Sequence, residues 1–115
     1  MASAPFSVSG KSFCIHEWRG SGPATLHVHH VDDEAWHVLE GHLTFRYSDR
    51  IETVGPGRTV FVPAGIAHTY TAQPGARYLI VLTPRIDALI AALQSDHEPA
   101  HQHEIYRRFD SELLE

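Results

Sequence analysis

Turn residues cut the sequence between Lys11 and Thr83 into short runs, none long enough for an ordinary helix. The runs are 11–18, 25–30, 35–40, 42–47, 51–54, 59–62, 67–72 and 77–83. Gly20-Ser-Gly-Pro23, Val31-Asp32-Asp33, Ser48-Asp49-Arg50, Gly55-Pro56-Gly57, Pro63-Ala-Gly65 and Gln73-Pro74-Gly75 part them. About eight strands at short, regular spacing with no helix between them predict a sandwich or small barrel and exclude a parallel α/β sheet. Gly41 falls inside a β stretch and marks a bulge or sharp bend.

After Thr83 the period changes. Thr83-Pro84 supplies a helix cap and a first-turn proline, and Ile86, Leu89, Ile90 and Leu93 follow at helical spacing. Residues 95–99 read as a polar linker. A second helix is expected over 101–114, with Ile105, Tyr106, Phe109 and Leu113 on one face. The expected organisation is an N-terminal arm (1–10), an all-β barrel (11–83) and a short C-terminal helical tail (84–115), in one domain overall.

Charge and composition narrow the function. A net charge of -5 opposes nucleic-acid binding. The start carries neither a basic segment nor an apolar one, so no secretory signal is expected, and no apolar run reaches membrane-spanning length. Cys14 is the one cysteine, so no intrachain disulfide can form, which suits a reducing compartment. A soluble, cytoplasmic protein is the expectation, with no nucleic-acid or membrane partner.

Histidine is abundant, at ten residues. At that frequency an H-x-H pair arises by chance roughly once, and the chain has two, His27-Val-His29 and His101-Gln-His103. The first lies in a strand, where residues i and i+2 share a face. A turn then reverses the chain, so that Glu34 can face the same interior, and His68 opens a later strand. In a closed barrel such inward side chains converge, and three imidazoles with one carboxylate would make a divalent metal site. His101 and His103 fall on the expected helix, where i and i+2 diverge.

Two segments resemble the motifs of the cupin family. His27-Val-His29 with Glu34 and Gly41 is similar to the first motif, and Gly57 with Pro63-Ala-Gly65 and His68 is similar to the second. The fifteen residues 42–56 between them resemble the spacing of small microbial cupins. Two positions depart from the pattern: Ala72 stands where the family often has Asn, and Gly22 lies one residue too close to His27. Pro84 and the helix after it resemble small quercetin-dioxygenase-like cupins.

The resemblance implies a cupin jelly-roll barrel in which His27, His29, Glu34 and His68 hold one divalent transition metal ion. Imidazole and carboxylate suit Fe, Mn, Ni, Cu, Co and Zn alike. On an octahedral ion, four protein ligands leave two positions for a small-molecule substrate, or for substrate and dioxygen. The resemblance also implies a homodimer and dioxygenase-like chemistry. Because the fold hosts many activities, a metal-dependent isomerase or lyase, or a non-catalytic binding cupin, stands as the alternative.

Strand parity puts Trp36, two residues after Glu34, and Tyr70, two after His68, on the ligand face. Trp36 is then pocket wall or barrel core. Tyr70 is a pocket residue able to donate a hydrogen bond or proton, and Glu34 a base if it detaches. Glu40 has the same parity by count, unless Gly41 breaks the register. Arg46 and Arg58 are expected in surface ion pairs rather than in anion binding. Cys14 is expected as a small buried hydrophobe, and His16, His30 and His37 as outward or surface residues.

Overall fold

The structure is a computed structural model, and it describes residues 6–22 and 25–115. Residues 1–5 of the expected arm, and Pro23 of the first expected turn, lie outside them. The described strands are β1 (Ser7–Ser9), β2 (Cys14–Arg19), β3 (His27–His29), β4 (Glu34–Glu40), β5 (Leu43–Tyr47), β6 (Ile51–Val54), β7 (Thr59–Val62), β8 (His68–Ala72), β9 (Arg77–Leu82) and β10 (Ser111–Leu113). Two helices, α1 (Pro84–Ser95) and α2 (Gln102–Arg108), lie between β9 and β10.

The strands form two five-stranded antiparallel sheets, ordered β1-β2-β9-β4-β7 and β10-β3-β8-β5-β6. From β2 to β5, and again from β6 to β9, each successive strand joins the opposite sheet. The result is an all-β jelly roll with short C-terminal helices. Alternation supplies its core: Trp36 and Val38 on β4, Leu43, Phe45 and Tyr47 on β5, and Tyr78, Ile80 and Leu82 on β9 all point inward and are buried.

The β4–β9 register shifts between Val38 and Glu40, and Gly41 follows with φ 75°. A Cβ at Gly41 would stand 2.9 Å from the Ala76 Cα, so both conformation and space require glycine there. The bulge turns Glu40 outward despite its parity, and its carboxylate meets Arg77 at 3.0 Å on the surface.

The tail departs from expectation at its end. Helix α1 begins as its sequence predicts, with the Thr83 hydroxyl accepting from the Ile86 N–H and Pro84 in the first turn. The second helix stops at Arg108 instead of running to 114. The chain turns through Asp110 at φ 52°, and Ser111–Leu113 pairs with β3 as a strand. The helical spacing of Ile105, Tyr106, Phe109 and Leu113 is real, and all four join one apolar cluster with Leu89. The free edge of β3 decides the outcome, because its backbone groups need partners. Asp110 O accepts from the His30 N–H, and Leu26 O from the Leu114 N–H. The arm also holds a strand that sequence did not predict, with Ser7–Ser9 pairing β2. Among the described residues, no helix is long and apolar enough to cross a membrane.

Candidate metal centre

The H-x-H strand β3 is buried along its whole length. Antiparallel pairing sets His27 opposite His68 of β8, while Glu34 opens β4 in the facing sheet. The three imidazoles each offer a nitrogen within 4.8 Å of the others. The carboxylate Oε1 of Glu34 lies 3.2 Å from Nε2 of His29 and 3.2 Å from Nε2 of His68. All four side chains are buried.

Each imidazole is held by its other nitrogen. Nδ1 of His27 donates to Thr25 O at 2.9 Å, and Nδ1 of His68 to Ile66 O at 2.9 Å. Nδ1 of His29 meets the Ser111 hydroxyl at 2.7 Å, and that hydroxyl donates its own hydrogen to Phe109 O. With Nδ1 the donor, each neutral ring keeps a bare Nε2. Two of those bare nitrogens face the same carboxylate oxygen, so lone pairs confront lone pairs with no donor between them. A cation resolves that confrontation, and the donor set of three imidazoles and one carboxylate fits a divalent transition metal.

The electrostatics agree. Burial, then neighbouring His68 and His29, pushes His27 down to about 4. Burial alone would raise Glu34, but the His29 and His68 imidazoles, each 3.2 Å from its carboxylate, prevail and hold it at about 2. The site therefore presents a carboxylate and a neutral His27 at neutral pH.

A cavity of about 260 Å³ opens beside the cluster, and His27, His29 and Glu34 form part of its wall. Trp36 and Tyr70 line it, as their parity predicts. The Tyr78 hydroxyl donates to Gly20 O at 2.6 Å, so Tyr70 donates to Tyr78 across 2.8 Å. Burial pushes Tyr70 up to about 12. The Trp36 N–H is buried beside it with no acceptor in bonding geometry.

A further part of the wall comes from the tail, which sequence treated only as packing. Ile86, Ile90 and Leu93 of α1 and Tyr106 of α2 line the cavity. The Tyr106 ring lies 5.6 Å from that of His27. The helical stripe was visible in the sequence, but nothing there showed that it faces a cavity.

The other singled-out residues lie elsewhere. His101 binds Asp96 on the surface, and His103 is exposed. Arg46 pairs with Glu115 at 2.7 Å, and Arg58 lies 4.0 Å from Glu52. His30 pairs with Glu112, and His37 bonds Thr59. Cys14 is buried. With His16 and Asp87 it forms a second group of potential ligands. There both His16 nitrogens already have partners, Ser7 at 2.8 Å and Asp87 at 3.0 Å.

A jelly roll whose interior gathers three imidazoles and a carboxylate beside an apolar cavity defines a small β-barrel protein with a candidate metal site. Residues 15–83 match the cupin domain family, and the chain belongs to that family. No curated protein matches the chain. Among solved structures, its fold is similar to a protein from Neisseria meningitidis, at 20% identity over 70% of this chain and 83% of that one, with a TM-score of 0.58. A cupin-2 domain containing protein from Shewanella frigidimarina shares 21% identity over 70% and 79%, with a TM-score of 0.55. KdgF from Halomonas sp. shares 18% over 71% and 79%, with a TM-score of 0.58. At these identities the likeness is one of fold.

Proposed function

We propose that the protein holds one divalent transition metal ion through His27, His29, Glu34 and His68, and that it is an enzyme acting on a small, largely apolar molecule. The observation that carries this is the cluster of three imidazoles whose Nδ1 atoms are already bonded, with the Nε2 atoms of His29 and His68 each 3.2 Å from Glu34. An ion bound there supplies Lewis-acid or redox chemistry.

The chain's own residues set what can bind. Among the described residues lining the cavity there is no Lys or Arg, and Glu34 carries the charge. An anionic group would therefore have to be met by the bound ion rather than by a Lys or Arg side chain, and the largely apolar lining suits a small oxygen-bearing molecule whose remaining surface is apolar. Trp36 and Tyr70 form the wall it packs against. The Tyr70 oxygen accepts a hydrogen bond from substrate while its hydrogen is held by Tyr78, and it donates a proton only on turning from Tyr78. Glu34 takes a proton only when freed from the two imidazoles.

Oxygenation is the favoured reaction, supported by the resemblance of Pro84 and the helix after it to small quercetin-dioxygenase-like cupins. An isomerisation or elimination without oxygen is the second reading, supported by an ionised carboxylate and a protonated phenol on one face of the cavity. Metal analysis of untagged protein, followed by oxygen-uptake assays with phenols and diketones, tests both. Oxygen consumption supports the first, and product without oxygen supports the second. Protein that takes up none of the six metals overturns the proposal.

A homodimer through the sheet β1-β2-β9-β4-β7 is part of this proposal. Its support is one in-register row on the outward face, Val8-Ile15-Val81-Ala35-Phe61, which is apolar on every strand. Phe61 is 61% exposed, and a row of this kind marks an interaction face. Sedimentation of Phe61→Glu as a monomer, against a dimeric wild type, is the expected result. A buried free thiol at Cys14 suits the cytoplasm as the working location.

A further inference from the structure

Two of the three imidazoles are oriented by their own strands. The acceptors for His27 and His68 are backbone carbonyls two residues earlier in the chain, which no substitution removes. His29 differs: its acceptor is a side chain 82 residues away, Ser111, outside the region that matches the family.

Ser111 sits directly across from His29 in the β3–β10 ladder and is 2% exposed. Its hydroxyl hydrogen goes to Phe109 O at 3.1 Å, which leaves an oxygen lone pair for the His29 Nδ1–H. On the other side of the same ring, Glu34 Oε1 lies 3.2 Å from Nε2. Two acceptors therefore compete for one imidazole hydrogen. With Ser111 holding it on Nδ1, Nε2 is bare. Without Ser111, the hydrogen moves to Nε2 and bonds Glu34, closing off the nitrogen that would bind a metal.

We propose that Ser111 is a positioning residue that fixes the His29 tautomer, and that the C-terminal strand exists in this chain to carry it into the metal centre. This rests on His29 being a metal ligand. The strand is anchored on either side of Ser111: Asp110 O takes the His30 N–H, Leu114 N–H goes to Leu26 O, and Glu115 receives both the Leu26 N–H and the Arg46 guanidinium.

The test uses the full chain with Ser111→Ala and the isosteric pair Ser111→Thr and Ser111→Val. Cobalt affinity, read by competition with a chromophoric chelator, is expected to fall about 10–100-fold in Ser111→Ala. Ser111→Thr should bind at least about tenfold tighter than Ser111→Val, since the two share a shape and differ by the hydroxyl. In metal-free protein, imidazole ¹⁵N spectra should show His29 with its hydrogen on Nδ1 in the wild type and on Nε2 in Ser111→Ala. A purely structural role would lower stability without moving the tautomer. Equal affinities for the Thr and Val variants, or an unmoved tautomer in a folded variant, overturn the proposal, and the Thr/Val pair decides it if Ser111→Ala does not fold. A wild type that binds no cobalt sinks the metal reading instead, and the tautomer then decides the role of Ser111 alone.

Discussion

His27 stands directly opposite His68 in the β3–β8 ladder, with ring centroids 4.6 Å apart. Facing positions on neighbouring antiparallel strands bring side chains this close without any special loop. Two imidazoles at such a spacing, buried and with both Nδ1 atoms already bonded to backbone carbonyls, have their other nitrogens left for a bridging ion. Replacing His68 should therefore remove the binding site outright. His68→Ala is expected to drop metal content from about one ion per chain to less than about a tenth. The rise in melting temperature on adding metal should vanish with it. His16→Ala, in the second ligand group, should keep both. Elemental analysis and thermal shifts on the two variants check this.

Acidification should destabilise the metal-free protein in a defined window. His27 titrates near its ordinary value of 6.5 when unfolded but is pushed down to about 4 in the fold, by burial and then by His68 and His29. A depressed histidine favours the neutral form, so the unfolded chain binds more protons between these values. Stability is complete above pH 6.5 and falls as pH drops toward 4. Glu34, held at about 2, adds a second loss as pH falls from 4.5 toward 2. At 1.36 kcal/mol per pH unit, the His27 contribution between pH 7.5 and 5 is about 2 kcal/mol. Urea unfolding of chelator-treated protein at these two values should show that difference, and His27→Asn should flatten it.

Gly22 carries a steric constraint that its shifted place before the H-x-H does not reveal. A Cβ there would fall 2.4 Å from Cε1 of Tyr70. The Tyr70 ring has little room to give way, stacked on Phe45 and edge-on to Trp36 and Tyr78. Gly22→Ala is expected to cost about 1–3 kcal/mol and to displace Tyr70. Tyr70→Phe removes the hydroxyl without the clash. Tyr78 keeps its bond to Gly20 O, so the stability change should be below about 1.5 kcal/mol. Turnover should nonetheless fall by about 100-fold or more if Tyr70 supplies a proton. Chemical denaturation and steady-state rates on the two variants separate packing from chemistry.

The barrel was legible because its strands are short, alternate cleanly and end at glycine or proline. Parity placed His27 and His29 on one face, and chain reversal brought Glu34 toward them. Parity failed at Glu40, where a bulge between Val38 and Glu40 rotates the side chain outward, and sequence could offer a break at Gly41 only as an alternative. The C-terminus was misread for a physical reason. Phe109 and Leu113 keep helical spacing with Ile105 although the helix has ended, since a turn at Asp110 and a strand bring them to the same apolar cluster. Ser111 could not have been found from pattern at all. A lone serine in a tail gains its meaning only from lying across the ladder from His29.

The tail also sets the size of what the cavity admits, and Leu93 is the position to test it. Ile86 and Leu89, on the same face of α1, are each 1% exposed and belong to the two apolar clusters. Truncating either would cost about 2–5 kcal/mol and confuse binding with stability. Leu93 is only partly buried, yet it lines the cavity. Leu93→Trp fills cavity space from a residue that is not one of the proposed metal ligands. The Michaelis constant for a bulky substrate should rise about tenfold or more, the scale of a lost pocket contact. The rate at saturation and the metal content should stay near wild type. A fall in metal content instead would mean that α1 supports the imidazoles as well as the cavity. Kinetics on a size series of substrates, with elemental analysis of the same preparation, distinguishes the two.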